Sequence, residues 1–186
     1  SASKLFGIQT WVALPREHED AAPAFVHHPA DTLPAFEHAG AHIRVLAGEA
    51  WGQKSPVEFP WPILYVAIEA PEEVSLILQS ALAEERALYL VSGSGRVADQ
   101  PVENGAMIVL EPGVDVPVRL AAGTKAVLCG GASLDGPRKI EWNLVSSDPD
   151  KIAAAKEDWV QAMQMGGSER FPLVPGDEEE WIPLPD

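Results

Sequence analysis

Apolar positions in this chain come in short runs rich in Val, Ile, Leu and aromatics, broken by proline, glycine or charge. That pattern predicts many strands joined by turns rather than a helical bundle. The β signals crowd at Ala41 to Leu46, Ile63 to Glu69, Val74 to Gln79, Ala87 to Val91, Ala106 to Leu110, Val114 to Leu120 and Lys125 to Cys129. Their regular spacing predicts a barrel or sandwich. Alternation is clearest where Val114, Val116, Val118 and Leu120 can share a core face while Asp115 and Arg119 take the other. Pro117 inside that run cannot donate to a ladder, so this strand is expected at a sheet edge or with that position turned outward. Gly93, Gly95 and the Asn104-Gly105 pair are expected in tight turns.

One helix is predicted, over about 149–164. Asp148 suits the N-cap, Pro149 the first helical position, and Asp150 the positive end of the helix dipole. Ile152, Ala155, Trp159 and Met163 recur at helical spacing, and Gly166-Gly167 supplies the stop. Trp159 is expected to pin the helix onto the barrel. Before the β-rich region, Gly7 to Leu14 reads as a further strand, followed by a polar, proline-rich linker. After the helix comes a proline-rich acidic tail, whose Trp181 and Ile182 imply docking.

Composition narrows the function classes. With 186 residues, 46% of them hydrophobic and 22% charged, the chain is long enough to bury a core. A formal charge of −15 without a basic cluster repels a phosphate backbone, so no direct nucleic-acid partner is expected. The acidic run from Asp177 to Glu180 reads as a solvated tail. Cys129 is the lone cysteine, so no internal disulfide framework is possible and a cytoplasmic location is expected. No run is long enough to read as a membrane span. Ser1 to Ser3 opens without Met, which is expected to mark a tag scar, a processed end or a cut inside a longer polypeptide.

Candidate chemistry is sparse. His27 and His28 are adjacent beside a proline, and adjacent residues of an extended chain point opposite ways. His38 and His42 have helical ligand spacing, but Gly40 between them favours a loop. His18 sits among Glu17, Glu19 and Asp20, where only an adventitious ion is expected. Cys129 follows an apolar run and reads as a buried small hydrophobe. Gly93-Ser94-Gly95 and Gly130-Gly131 lack a following helix and a Lys-Ser/Thr partner, so hairpin turns explain them better than phosphate loops. Ser75, Ser80 and Ser133 lie in no nucleophile elbow. The six tryptophans read as core or docking residues rather than a ligand cage.

Several segments resemble the pirin family. Gly7-Ile8-Gln9-Thr10-Trp11-Val12-Ala13-Leu14-Pro15 is similar to the strand that closes the first cupin of pirins, and His27-His28-Pro29-Ala30 to their linker. Arg44-Val45-Leu46-Ala47-Gly48 is similar to the next strand, and Tyr89-Leu90-Val91-Ser92-Gly93 to the cupin strand and turn of the second domain. Glu141 to Ser147, the helix, Pro175-Gly176-Asp177 and Ile182 to Pro185 resemble the closing region of a bacterial pirin branch.

The resemblance implies an all-β fold: a cupin-like double-stranded β-helix or barrel with one C-terminal α-helix and an extended tail. Its implied divisions are 1–14 as the closing strand of a missing N-terminal cupin, 15–40 as linker, 41–165 as the C-terminal cupin, and 166–186 as tail. It also implies iron, held by three histidines and a glutamate of the first cupin, outside this chain. Cupin sites need imidazoles and a carboxylate converging on the ion at about 2.0 to 2.2 Å. Aligned on the cupin turn, the positions for those ligands fall at Ser80, Leu82, Arg86 and among Val114, Asp115 and Val116, which cannot serve. No catalytic, cofactor-binding or metal-binding residue is therefore expected here.

The expected role is a structural and protein-interaction half. The implied partners are an N-terminal cupin or a second copy through Gly7 to Leu14, and a regulatory protein. A quercetin 2,3-dioxygenase-type oxygenase, with its metal outside this chain, is the alternative. A stand-alone barrel taking a small apolar ligand in its mouth is a third reading.

Overall fold

The computed structural model describes residues 7–185. Ser1 to Ser3, where a processing scar or cut is expected, lies outside the described residues. Fourteen strands and one helix follow in chain order. The first six are β1 (Ala35–His38), β2 (Ala41–Ala47), β3 (Glu49–Ala50), β4 (Gln53–Lys54), β5 (Ile63–Ala70) and β6 (Val74–Leu78). Next come β7 (Glu85–Ser92), β8 (Ser94–Val97), β9 (Gln100–Glu103), β10 (Met107–Leu110), β11 (Val116–Leu120) and β12 (Thr124–Gly131). The chain closes with β13 (Lys139–Glu141), β14 (Leu144–Ser146) and α1 (Pro149–Met165). No helix among the described residues is long and apolar enough to cross a membrane.

The residues form two compact units, one of Ala22–Ser133 and the other of residues 7–21 with 134–185. In the first, a six-stranded antiparallel sheet (β1-β2-β5-β12-β7-β10) and a four-stranded one (β6-β11-β8-β9) enclose the core. Period two builds it: Ile43 and Val45 on β2, Val66 and Ile68 on β5, Leu88 and Leu90 on β7, and Leu128 on β12 lie on the inner face of one sheet. Leu76, Leu78, Val116, Val118 and Leu120 supply the other. The interior is aliphatic, each large side chain being worth about 1.5–3 kcal/mol on full burial.

This is the all-β, cupin-like architecture with one C-terminal helix. All seven runs become strands or parts of strands. The short strands β1, β3, β4, β8, β9, β13 and β14 carry no distinct signal in the sequence, because each has only two to four residues and few apolar positions.

Three expectations are corrected, and one is decided between its two alternatives. β11 is not an edge strand, since it pairs with β6 on one side and β8 on the other; Pro117 is accommodated the other way, on the exposed face and outside the β8 ladder. Pro117 is tolerated because the β8 ladder begins only at Val118, and the Pro117 carbonyl accepts from the Ala98 N–H at 2.9 Å. Val114, expected on the core face, lies before β11 and is 43% exposed. Gly95 lies within β8, where a Cβ would come 2.5 Å from the Arg119 carbonyl oxygen. Gly130-Gly131 is likewise no turn: it ends β12 between β5 and β7, and a Cβ on Gly130 would lie 2.0 Å from the Glu85 carbonyl oxygen.

In the second unit α1 begins and ends as its sequence predicts. The Asp148 carboxylate accepts from the Asp150 N–H at 2.9 Å, and Gly166 caps the far end at φ 76°. The helix clusters with the β13–β14 hairpin and residues 7–21. The Trp159 ring meets Trp142 at 5.2 Å and Phe171 edge-on at 5.3 Å, and its Nε1 donates to the Ile182 carbonyl. Gly7 to Leu14, read as a strand, joins no strand ladder among the described residues.

Candidate functional site

Of the positions that the family resemblance aligns with cupin ligands, one carries a positive charge. Arg86 shares the inward face of β7 with Leu88 and Leu90 and is 2% exposed. Its Nη1 donates to the Leu78 carbonyl at 2.7 Å, and its Nη2 to those of Val114 at 2.7 Å and Glu111 at 3.1 Å. The guanidinium thus ties the end of β6 to the turn that enters β11. Its Nε finds no partner. Ser80 and Leu82 form a short 3-10 turn after β6, with Leu82 packed against the core. Asp115 points away from any ligand role: its Oδ1 accepts from the Ser80 N–H at 2.7 Å. That bond, with one from the Ser80 hydroxyl and attraction from Arg86, lowers its pKa from the ordinary carboxylate value.

A metal does not fit this constellation. Where several deprotonated donors must converge, it offers a guanidinium, a leucine, valines, a serine and one carboxylate, Asp115, which already accepts from the Ser80 N–H. No cluster of three or more His, Cys, Asp or Glu that could hold an ion occurs among the described residues.

The histidines stay apart. His38 ends β1 before the two-residue Ala39-Gly40 turn, both turn residues having positive φ, and His42 is the second residue of β2, opposite Glu37. His42 lies 3.6 Å from a Glu37 oxygen, whereas His38 stacks on Trp51 with ring centroids 4.8 Å apart. His18 lies 3.6 Å from Glu17 in a 3-10 turn. Cys129 sits in β12 with its Sγ 3.6 Å from the Ala87 carbonyl, and burial pushes its thiol up, away from nucleophilic use. Ser133 bridges Glu84 and Glu85 through its hydroxyl at 2.9 Å to each, and no histidine is among its partners.

The barrel unit carries a groove of about 1080 Å³. One wall is the β3–β4 hairpin with the proline-rich stretch Ser55 to Pro62, and the other is the turn Gln79 to Leu82. Gly48 permits the first wall to lie close, since a Cβ there would strike the Ile63 carbonyl oxygen at 2.0 Å. Ser55, buried, fixes the stretch by donating to the Leu46 carbonyl at 2.8 Å.

Trp61 is locked, its Nε1 donating to the Ala132 carbonyl at 3.1 Å. Trp51 is not: it occupies the tip of the β3–β4 hairpin at φ 47°, and its covered Nε1 has no partner. A non-glycine left-handed residue costs about 1–2 kcal/mol and a buried unpaired donor about 1–3 kcal/mol. Trp51 and Arg86 hold the two buried, unpartnered side-chain polar atoms among the described residues. Sequence reasoning missed the groove; the available signals were an arginine within an apolar strand and a tryptophan immediately before a turn glycine.

In the second unit the polar centre is Arg138, 5% exposed. Its Nε lies 2.5 Å from Glu19 Oε1, its Nη2 is 2.5 Å from Asp135 Oδ1, and it also donates to the Leu14 carbonyl. Glu19 further accepts from the Ser147 N–H and from the Ser146 and Ser147 hydroxyls. This arrangement staples residues 14–19 to 135–147.

Comparison with known proteins accords with this architecture. The chain is 39% identical over 185 residues to a pirin-like protein of Caulobacter vibrioides, covering 98% of this chain and 61% of that protein. It is 30% identical over 178 residues to a Pseudomonas aeruginosa protein whose name gives quercetin 2,3-dioxygenase as its conjectured activity, covering 95% and 55%. A crystal structure of a quercetin 2,3-dioxygenase from Acinetobacter baumannii superposes with a TM-score of 0.83 at 27% identity, covering 95% of this chain and 57% of that one. The chain thus spans a little over half the length of these relatives. Residues 65–165 match the Pirin C-terminal cupin domain, and the chain belongs to the pirin family.

Proposed function

We propose that this chain is the C-terminal cupin of a two-cupin pirin-type protein and serves as its structural and protein-interaction half. Iron-dependent regulation then resides in a first cupin outside this chain. The observation that carries the reading is Arg86: a buried guanidinium bonded to three backbone carbonyls stands at the cupin glutamate position, in an otherwise aliphatic interior. The length of the relatives supports a further domain, since 39% to 45% of each curated one lies beyond the match. Residues 7–14 support an interaction role, because Ile8, Trp11 and Val12 are 44%, 50% and 45% exposed. An N-terminal cupin or a second copy would cover them. The lone cysteine fits a cytoplasmic location.

The test measures metal and oxygen uptake on this chain and on a product extended to the length of its relatives. Iron in the extended product at one per chain, none in the short one, and no oxygen uptake with quercetin support the structural reading. Iron bound stoichiometrically by residues 1–186 alone overturns it. The relatives' names favour a second reading, a quercetin 2,3-dioxygenase completed by this half. Oxygen uptake with quercetin by the extended product would establish that reading instead.

A further inference from the structure

The groove beside the β3–β4 hairpin is used by neither reading. Trp51, Phe59, Trp61 and the prolines of 56–62 give its lining rings and apolar surface suited to a planar ring, beside polar residues such as Glu49, Lys54 and Glu58. Ser55 and Trp61 are satisfied by donating to backbone carbonyls. The one buried side-chain donor in its lining without a partner is Trp51 Nε1. The same residue holds a left-handed backbone at a hairpin tip, next to Gly52. Strain and an unmet hydrogen bond therefore coincide on the one indole whose rotation would change the groove.

Charge narrows the ligand further. Glu49 and Glu58 line the groove against Lys54, in a chain of net charge −15, so an anion is disfavoured. Volume sets an upper bound, about 1080 Å³, at the large end of small-molecule sites.

We propose that this groove binds a neutral, planar aromatic molecule carrying a carbonyl or ether oxygen, and that Trp51 is its gate. In the closed form the indole stacks on His38 and its N–H is covered. Turning about its side-chain bonds brings the N–H to the ligand oxygen, and the ring lies against the ligand face. Trp61 stays in place as the fixed wall. The site is independent of any metal and of the partner assigned to residues 7–14.

Coumarin, a neutral lactone, is the probe, with coumarin-3-carboxylate and 1,2-dihydronaphthalene as the charged and acceptor-free controls. Titrations of the full chain are followed by calorimetry and by the indole N–H signals in 15N-labelled protein. Coumarin is expected to bind saturably, to move the Trp51 N–H signal and to leave that of Trp159 in place. One hydrogen bond corresponds to roughly threefold to tenfold in affinity, the loss expected for Trp51→Phe and for 1,2-dihydronaphthalene, whereas coumarin-3-carboxylate, which keeps the acceptor, is expected to bind more weakly through its charge. Gln79→Trp, at an exposed rim position, obstructs the groove without touching the core and should abolish binding. No saturable binding of coumarin by a folded wild-type chain, or equal affinity in folded Trp51→Phe, overturns the proposal. So does undiminished binding by Gln79→Trp.

Discussion

Each of the two units buries one arginine, and the two are neutralised differently. Arg86 lies in an aliphatic barrel and meets only backbone carbonyls, with one nitrogen left unpaired. Arg138 lies in a unit with a small apolar core and meets two carboxylates, one of them itself held by Ser146 and Ser147. The barrel closes without Arg86, because two sheets already exclude water; the guanidinium only joins strand ends. The other unit depends on Arg138, which holds together segments over a hundred residues apart in sequence, Leu14 and Glu19 on one side and 135–147 on the other. A buried ion pair is not strong evidence of net stability, but breaking one partner of it is costly.

That contrast predicts the largest effect for Arg138→Met. The change strands the buried Glu19 carboxylate and should cost about 3–5 kcal/mol. Hydrogen exchange should show α1 and the β13–β14 hairpin losing protection while β5, β7 and β12 keep theirs. Equal loss in both units would break the distinction. Arg86→Met should cost less, about 2 kcal/mol, because it leaves neutral carbonyls rather than a charge. Chemical denaturation of both variants checks the order. If Arg86→Met proves the more damaging, the barrel relies on its polar tie more than on its aliphatic core.

A smaller effect, about 1–2 kcal/mol, is expected for Trp159→Leu, which keeps apolar bulk but removes two ring contacts and the bond to the Ile182 carbonyl. Thermal melts followed by near-ultraviolet circular dichroism, where the tryptophans report, should show the change confined to the helix-bearing unit. A cost above that of Arg86→Met would mean that the aromatic trio, rather than the ionic staple, organises this unit.

The two regions also differed in how far their sequences could be read. The barrel strands were legible because each long one repeats the same choice, an aliphatic residue every second position, as in Val116, Val118 and Leu120. The helix was legible because its caps are local: Asp148, Pro149 and Gly166 act within a turn. Pro117 left two placements open, since the property that decides between them is where the β8 ladder begins, which depends on another strand. Gly130-Gly131 misled for the same reason, the Glu85 and Pro62 carbonyls that require them lying far away in sequence. Trp159 was right as a packing residue but its partners, Trp142 and Phe171, come from a loop and a tail with no periodicity. At the site, Arg86 could be recognised from sequence as a non-ligand but not as a buried tie, because its acceptors are backbone atoms. The groove was invisible because two short hairpin strands and a turn create it.

The smallest effect separates the units by pH. Burial raises the Glu19 carboxyl, but the Ser147 N–H, the hydroxyls of Ser147 and Ser146 and the Arg138 guanidinium outweigh it, so its pKa lies below the ordinary 4.5. A carboxyl depressed in the folded state contributes stability that is complete above its unfolded value and is lost as pH falls through the lower folded one. The barrel has acid-sensitive carboxyls of the same sign, Glu84 held down by the Ser133 N–H and hydroxyl and Asp115 by Ser80, but both are at the surface and exert little leverage on packing. On lowering pH from about 6 through the carboxylate range, amide protection corrected for intrinsic exchange should therefore fall first in α1 and β13–β14. Glu19→Gln should flatten that response, because the amide keeps acceptor geometry without a titrating charge, whereas Glu84→Gln should leave it unchanged. Earlier loss in β5 or β12 than in α1 would show that the barrel, not the staple, is the acid-labile part.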